Sequence, residues 1–266
     1  MYPTLYSFGF LIISVFGTIM AIAWLLFFIL LHRFSWKKWI TKPVFSSIIP
    51  FTLAILFFGR IFYIFSEWVE EKFILMDLLH GNIIEFLRNF FIPQEYHFSL
   101  FGSVLGFILI FIILTHRQKK ERLKYIDAIL YAFLWSALLG YLAALLWGQI
   151  YGVPWHSPFS ITYTHQDSIV DMKTPLFPLA ILYMICVGWI LFGLKKLSQK
   201  IHLPDGYIGY LGLGLFSGMV FLGEFLSGTR KDIFYDIFYL GLTQIGWLLG
   251  VIIALLGILR LTEKKI

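Results

Sequence analysis

Seven long apolar segments, separated by polar stretches, dominate the hydropathy pattern of this 266-residue chain. Each segment has close to the roughly 20 apolar residues that an α-helix needs to cross the hydrocarbon core of a membrane. The runs are continuous, without the period-two alternation of a transmembrane β-barrel. The predicted spans are 8–32, 44–66, 98–115, 126–147, 175–194, 207–226 and 236–259. The pattern therefore predicts an all-α polytopic membrane protein with a single domain over residues 1–266.

Two stretches between the predicted spans are too long for simple turns. Residues 67–97 mix charged side chains with Phe, Leu and Ile, which predicts an amphipathic segment in the outer interface. Residues 148–174 are rich in Pro, Ser, Thr and His, which predicts an irregular external loop. The first residues, 1–4, have no basic n-region, and no small-residue cleavage site follows the first apolar run. We therefore expect that run to be a retained helix.

The composition agrees with a membrane protein, and the distribution of Lys and Arg between the loops predicts its orientation in the membrane. Hydrophobic residues make up 59% of the chain and charged residues 14%, against roughly 25% charged residues in soluble domains. Fifteen of the 21 Lys and Arg residues follow the odd-numbered spans, within 33–42, 117–124, 195–200 and 260–265. The positive-inside rule then predicts an external N-terminus and a cytoplasmic C-terminus. These loops suit an anionic inner leaflet, and nucleic-acid binding is not expected.

Ionisable residues inside a span are costly and mark candidate functional positions. Arg60 lies in the outer half of the second span, where its guanidinium could bind a lipid phosphate or serve as a paired structural charge. Glu224 lies late in the sixth span and is either a general base or the partner of Arg60, and we favour the partner. Gln149 is a candidate positioning residue, and Asp127 is predicted to cap the start of its own helix.

Neither a metal site nor a cofactor site is predicted. The seven histidines lie mostly in loops, and no pair has the i,i+4 spacing of a zinc-binding helix. Cys186 is the single cysteine, so the chain has no thiol cluster and no internal disulfide, and we expect it to pack within the fifth span. His97 and His156 remain candidates for acid–base chemistry on the external side.

Glycines recur four residues apart in or beside several spans, a spacing that allows helix backbones to approach closely. The pairs are Gly102 and Gly106, Gly148 and Gly152, Gly214 and Gly218, and Gly246 and Gly250. A denser run lies at the start of the sixth span, at Gly206, Gly209, Gly212, Gly214 and Gly218. We therefore expect the sixth helix to lie centrally and to contact neighbours on more than one face.

The order of these landmarks resembles the prolipoprotein diacylglyceryl transferases of bacterial membranes. Gly59-Arg60 is similar to the family's Gly-Gly-Arg element, and 99–106 to its Ser-Phe-His-Gly-Gly-Leu-Ile-Gly run. Residues 140–152 occupy the place of its signature, Gly-Arg-x-x-Asn-Phe-x-Asn-x-Glu-x-x-Gly. Pro175, Gly206, Glu224 and Gln244 match its later landmarks.

The differences from the family pattern fall on polar positions. Phe101 replaces the family's histidine, Tyr141 its signature arginine, Ala144 and Trp147 its two asparagines, Gln149 its glutamate, and Val220 the arginine of its sixth helix. The resemblance implies a multi-pass protein of the bacterial cytoplasmic membrane. Such proteins move a diacylglyceryl group from phosphatidylglycerol to the thiol of a lipobox cysteine.

The resemblance implies site roles and leaves three functions open. Arg60 and Tyr141 would bind the lipid phosphate, and Gln149 and Glu224 are the catalytic candidates. The first function is a divergent transferase, with a phospholipid and a prolipoprotein signal peptide as partners. The second is a non-catalytic paralogue that binds a phospholipid or a lipidated protein. The third, a small transporter or channel, ranks last because paired intramembrane charges along a pathway and internal symmetry are missing from the sequence.

Overall fold

A computed structural model describes residues 4–8, 11–37, 48–66, 80–84, 86, 99–116, 122–164, 174–200, 203–228 and 240–263. Its elements are β1 (Thr4–Phe8), β2 (Leu11–Ser14), α1 (Val15–Lys37), α2 (Ile48–Ser66), α3 (Leu100–Thr115), α4 (Arg122–Trp147), α5 (Leu179–Lys200), α6 (Tyr207–Gly223), a 3₁₀ turn (Glu224–Leu226) and α7 (Leu242–Glu263).

The seven predicted spans are all helical over their central parts, which confirms the polytopic helical fold. Six of the helices among the described residues are long and apolar enough to cross a membrane. The remaining one, α3, has 16 residues and is about 24 Å long at 1.5 Å per residue. It was also among the shortest of the predicted spans.

The start of the first span differs from the prediction. Residues 11–14 form a strand that pairs antiparallel with Thr4–Phe8, and the helix begins only at Val15. The β-branched and aromatic side chains of this stretch, such as Tyr6, Ile12 and Ile13, favour extended pairing as well as membrane burial. The 23 residues of α1 still suffice to cross the hydrocarbon core.

Other boundaries shift by a few residues. The fifth span was predicted to begin at 175, but α5 begins at Leu179, since the backbone of 175–177 pairs with the preceding loop. The predicted amphipathic segment 67–97 lies largely outside the described residues and stays a prediction. Of the predicted external loop, 148–164 and 174 are described, and they contain neither a helix nor a long strand.

The described residues form two compact units. The larger comprises residues 1–44, 120–230 and 247–266, and the smaller comprises 45–119 and 231–246. In the larger unit α1 packs along α4, and α4 also contacts α5 and α6, which contact each other. The most buried positions of α4, Ala132, Leu134 and Ala143, show that this helix lies in the core of the larger unit.

Glycines let α6 contact three neighbouring helices, as the sequence predicted. A Cβ at Gly209 would lie 2.5 Å from the Ile126 side chain of α4, and one at Gly214 would lie 3.1 Å from Ala254 of α7. At the far end of α6, a Cβ at Gly223 would overlap the Tyr183 ring of α5. The predicted contact of the sixth helix with neighbours on more than one face is therefore confirmed.

Asp127 is a helix cap, but for a different helix from the one predicted. It lies inside α4, which begins at Arg122, so it does not cap that helix. Its buried carboxylate instead accepts hydrogen bonds from the backbone N–H groups of Gly206 (3.0 Å) and Gly209 (2.7 Å). A carboxylate there satisfies unpaired donors and complements the positive end of α6.

In the smaller unit α2 and α3 pack antiparallel at close range. Ser99 caps α3, and its N–H donates to the Gly59 carbonyl of α2 at 2.9 Å. Further along, Gly102 lies against the Phe58 backbone, and a Cβ at Gly106 would lie 2.5 Å from the Ala54 carbonyl oxygen. This spacing of small residues holds the two backbones together.

Candidate functional site

Two buried tyrosines face each other inside the larger unit. Tyr141 of α4 is 5% exposed, Tyr183 of α5 is 3% exposed, and their ring centroids lie 5.0 Å apart. Neither hydroxyl has a hydrogen-bond partner among the described residues. A buried polar group without a partner costs about 1–3 kcal/mol, so such groups call for an explanation in a folded protein.

Glu224 lies beside this tyrosine pair. It begins the 3₁₀ turn that follows α6 and is half-buried. Each of the two tyrosine hydroxyls lies close enough to the Glu224 carboxylate and to the Cys186 thiol to interact with them electrostatically. The structure therefore brings two of the residues singled out from the sequence, Tyr141 and Glu224, into one polar cluster with Tyr183 and Cys186.

Tyr183 was missed by the sequence analysis. It lies in an apolar span with no charged neighbour in sequence, so it resembles any other packed aromatic residue. Its position depends on contact with Gly223, which leaves room for the phenol ring directly before Glu224. No local sequence signal connects residues 183 and 223, because the contact joins two different helices.

Gln149 lies beyond the end of α4, at least about 9 Å along the helix axis from Tyr141 at 1.5 Å per residue. Gly148 has a φ of 82°, and this left-handed residue ends the helix. The backbone N–H groups of Gly148 and Gln149 both donate to the Ala144 carbonyl at 3.0 Å. Gln149 is thus a half-buried residue at the start of the external loop.

The external loop is joined by backbone hydrogen bonds to the ends of α5 and α6. Gly152 N–H donates to the Phe177 carbonyl at 2.9 Å, and Val153 N–H donates to the Leu226 carbonyl at 3.0 Å. Gly228 N–H donates to the Tyr151 carbonyl at 3.1 Å. This network fixes the chain directly after Glu224.

An open groove of about 570 Å³ lies between α5 and α6. Tyr183 and Cys186 line it together with aliphatic side chains and Trp189, and none of the described residues along it is charged. Its volume falls within the roughly 300–1,000 Å³ typical of small-molecule pockets. The polar cluster therefore borders an apolar groove.

Arg60 belongs to the smaller unit. Its side chain is only 2% exposed, and the guanidinium carbon lies 5.6 Å from the centre of the Tyr63 ring, within cation–π range. It lies next to Gly59, and so level with the start of α3. The predicted pairing of Arg60 with Glu224, a residue of the other unit, stays a prediction.

Histidine and acidic residues do not gather in the described part of the chain. No group of three His, Cys, Asp or Glu side chains lies close enough there to hold a metal ion. His156 is exposed in the external loop, and His97 lies outside the described residues.

Comparison with known proteins adds to this geometry. The sequence profile named prolipoprotein diacylglyceryl transferase matches residues 3–262. The chain belongs to this family. One curated relative, the phosphatidylglycerol--prolipoprotein diacylglyceryl transferase of Erythrobacter litoralis (strain HTCC2594), is 26% identical over 200 residues. The match covers 74% of this chain and 65% of the relative, so the chain spans slightly less than two thirds of that protein.

Four glycines that carry the resemblance of this prolipoprotein diacylglyceryl transferase family member to the family pattern are close-packing positions. Gly102, Gly106, Gly152 and Gly206 each lie where a Cβ would come within 3.0 Å of a neighbouring residue. Val220 and Ala144 are buried apolar side chains.

Proposed function

We propose that this protein acts in lipoprotein lipidation at the bacterial cytoplasmic membrane, as a divergent diacylglyceryl transferase. It would use phosphatidylglycerol as donor and the lipobox cysteine of a prolipoprotein as acceptor. The observation that carries the proposal is the buried tyrosine pair with Glu224 beside an apolar groove. Such an arrangement places polar groups next to a surface that suits lipid chains.

The reaction sets three chemical requirements. The acceptor thiol, with an ordinary pKa near 8.5, gives up its proton, and its sulfur forms a bond to the terminal glyceryl carbon of the diacylglycerol group. The bond from that carbon to the phosphate oxygen breaks, and glycerol phosphate leaves with the electron pair. A base is needed for the proton, and donors or cations are needed for the leaving phosphate.

We assign these roles to the residues singled out above. Glu224 is the candidate base, since its carboxylate lies beside buried hydroxyls and can accept a proton. Arg60 is the candidate phosphate ligand, because guanidinium stays charged when buried and matches phosphate geometry. In the larger unit, Tyr141 is a candidate donor to a lipid phosphate, and Gln149 is a candidate positioning residue at the outer end of α4.

The test is conversion of a lipobox peptide in membranes from a host that lacks its own enzyme. Mass spectrometry should show the diacylglyceryl thioether when phosphatidylglycerol is present and this chain is expressed. Glu224→Gln should lower the rate at least about 100-fold, the typical contribution of a general base. Glu263→Gln, at an exposed position near the end of α7, should leave the rate unchanged. The absence of thioether product from the wild-type chain would overturn the proposal.

One observation favours a second candidate function. Val220 and Ala144 pack in the core at positions where the family pattern has polar residues. Binding of a phospholipid or of a lipidated protein without transfer is therefore the alternative. Stoichiometric phosphatidylglycerol bound to the purified protein, with no thioether product from the peptide, would favour this alternative over the transferase.

A further inference from the structure

The external loop has an exposed aromatic tip. The Ser160 N–H donates to the Ser157 carbonyl at 3.0 Å, and Pro158 and Phe159 lie at the centre of the turn that this bond closes. Phe159 is 77% exposed, and Trp155, shortly before the turn, is 37% exposed. Turn positions usually carry polar or small residues, so an exposed phenylalanine beside a tryptophan indicates an interaction surface.

The loop is attached at the level where two helices end. The Val153 N–H donates to the carbonyl of Leu226, and Leu226 is the last residue of the apolar span that contains α6. The Trp155 N–H donates to the Pro175 carbonyl at 2.9 Å, shortly before α5 begins at Leu179. This part of the loop therefore lies near the boundary between hydrocarbon and water, and hydrogen bonds on two sides fix its backbone there.

The lipid-facing surface of α6 continues into this loop. Leu222, Phe225 and Leu226 are exposed on a span that crosses the membrane, and Val153, which is bonded to Leu226, is exposed as well. The sequence from 148 to 164 contains no Lys, Arg, Asp or Glu. An uncharged loop with exposed aromatic rings, next to a lipid-facing helix, matches the membrane interface, where such rings are enriched.

We propose that the external loop is an interfacial anchor, which inserts the side chains of Phe159 and Trp155 into the headgroup region of the adjacent leaflet. The partner is the bilayer surface, and the inference does not depend on the transfer reaction. A protein partner fits less well, because protein interfaces have a polar rim and the described loop has no charged side chain to form one. Since the loop is bonded to Leu226, this anchor would hold the end of α6 at a fixed depth.

A fluorescent probe at the tip measures its position directly. Phe159→Cys in a Cys186→Ala background has one thiol, which would be labelled with bimane, because Cys186 is the only cysteine in the sequence. The purified full-length protein would be reconstituted into nanodiscs of phosphatidylcholine and phosphatidylglycerol. Quenching by aqueous iodide would be compared with quenching by a lipid that carries a doxyl group near the top of its acyl chain.

Two further positions calibrate the measurement. His156→Cys is the matched control in the same loop, since His156 is exposed and polar and follows Trp155 directly. Neighbouring side chains of an extended segment point to opposite sides, so we expect this probe to face water. Leu222→Cys, at a position of α6 that is 65% exposed, gives the signal of a probe in contact with lipid chains.

We expect the doxyl lipid to quench the Phe159→Cys probe, as it does the Leu222→Cys probe. Iodide should quench the Phe159→Cys probe at least about tenfold less than the His156→Cys probe, the partition expected for one buried aromatic group. Equal quenching of these two loop probes by iodide would overturn the inference. Shielding from iodide without quenching by the doxyl lipid would also overturn it, in favour of a protein contact.

Discussion

Tyr163 connects the external loop to the helix that precedes it. Its side chain is buried, and its hydroxyl donates to the Leu145 carbonyl near the end of α4 at 3.1 Å. Burial raises the pKa of Tyr163 to about 12, because the phenolate would lose its hydration. Tyr163 forms a buried cluster with Leu176, and Tyr151 and Ile161 pack against this cluster.

The raised pKa of Tyr163 predicts how stability changes at high pH. The folded state binds this proton more tightly than the unfolded state. The contribution of the protonated Tyr163 hydroxyl to the free energy of unfolding is therefore complete below pH 10 and is lost as the pH rises towards 12. At pH 9, Tyr163→Phe should lower the free energy of unfolding by about 1 kcal/mol, the value of one hydrogen bond. Between pH 10 and 12 the difference in free energy of unfolding between the variant and the wild-type protein should become smaller.

Unfolding curves in detergent, measured at each pH for both proteins, check this prediction. Tyr151→Phe is the control, because that ring lies in the same loop and is only half-buried. It removes a phenol hydroxyl from the same loop, so a pH dependence found for Tyr163→Phe alone would assign the effect to Tyr163. A Tyr163→Phe difference that does not change between pH 10 and 12 would contradict the prediction.

The candidate site was predictable from sequence only where a residue is unusual by itself. Arg60 and Glu224 stand out because charge within an apolar span is costly. Tyr183 does not, because its significance comes from its position against Gly223 of α6 and from a hydroxyl that has no hydrogen-bond partner in the described part of the chain. Asp127 was predicted to be a cap, but sequence alone could not show that it caps a helix that begins some 80 residues later.

At the level of elements, glycine spacing predicted close packing but not the partner helix. Gly102 and Gly106, four residues apart, indicated a helix pair, and the structure shows that α2 is the partner. The hairpin before α1 was not predicted, since Ile12 and Ile13 suit a strand and a membrane helix equally. Apolar content alone does not distinguish these two structures in a short segment.

The pairing of α2 with α3 gives a prediction for two matched glycines. Gly106→Ala places its Cβ against the Ala54 carbonyl, and a backbone atom cannot move aside as a flexible side chain does. We expect a loss of about 1–3 kcal/mol, the usual cost of overpacking. Gly193→Ala in α5 meets no atom within 4 Å, and should be neutral or stabilise by up to about 1 kcal/mol through helix propensity.

Thermal unfolding in one detergent would compare the two variants with the wild-type protein. Both introduce the same side chain into an apolar helix, so the difference between them isolates the contact with α2. A Gly106→Ala variant as stable as Gly193→Ala would show that α2 and α3 do not approach closely at this position.

In the larger unit as a whole, the contacts agree with helices that cross the membrane in alternating directions. Asp127, near the start of α4, binds the start of α6, so these two helices begin at the same end. The loop after α4 pairs with Phe177, before α5, and with Leu226, after α6. The ends of α4 and α6 therefore meet the start of α5, as the predicted order of spans requires.

The distribution of Lys and Arg residues predicts which of these helix ends faces outward. Lys195 and Lys196 lie in the last two turns of α5, whereas the described loop after α4 has no lysine or arginine from 148 to 164. The positive-inside rule then predicts that this loop lies outside and that the C-terminal end of α5 lies in the cytoplasm. The same orientation would present Glu224 and the tyrosine pair towards the external side, where an exported prolipoprotein meets the membrane.

Single cysteines introduced into a Cys186→Ala background test this orientation. His156→Cys, at an exposed position of the external loop, should react in intact cells with a maleimide that cannot cross membranes. Ser198→Cys, exposed at the basic end of α5, should react only after permeabilisation. The opposite pattern would place Glu224 towards the cytoplasm, where it could not serve an exported substrate. This outcome would contradict the proposed transfer reaction as well as the predicted topology.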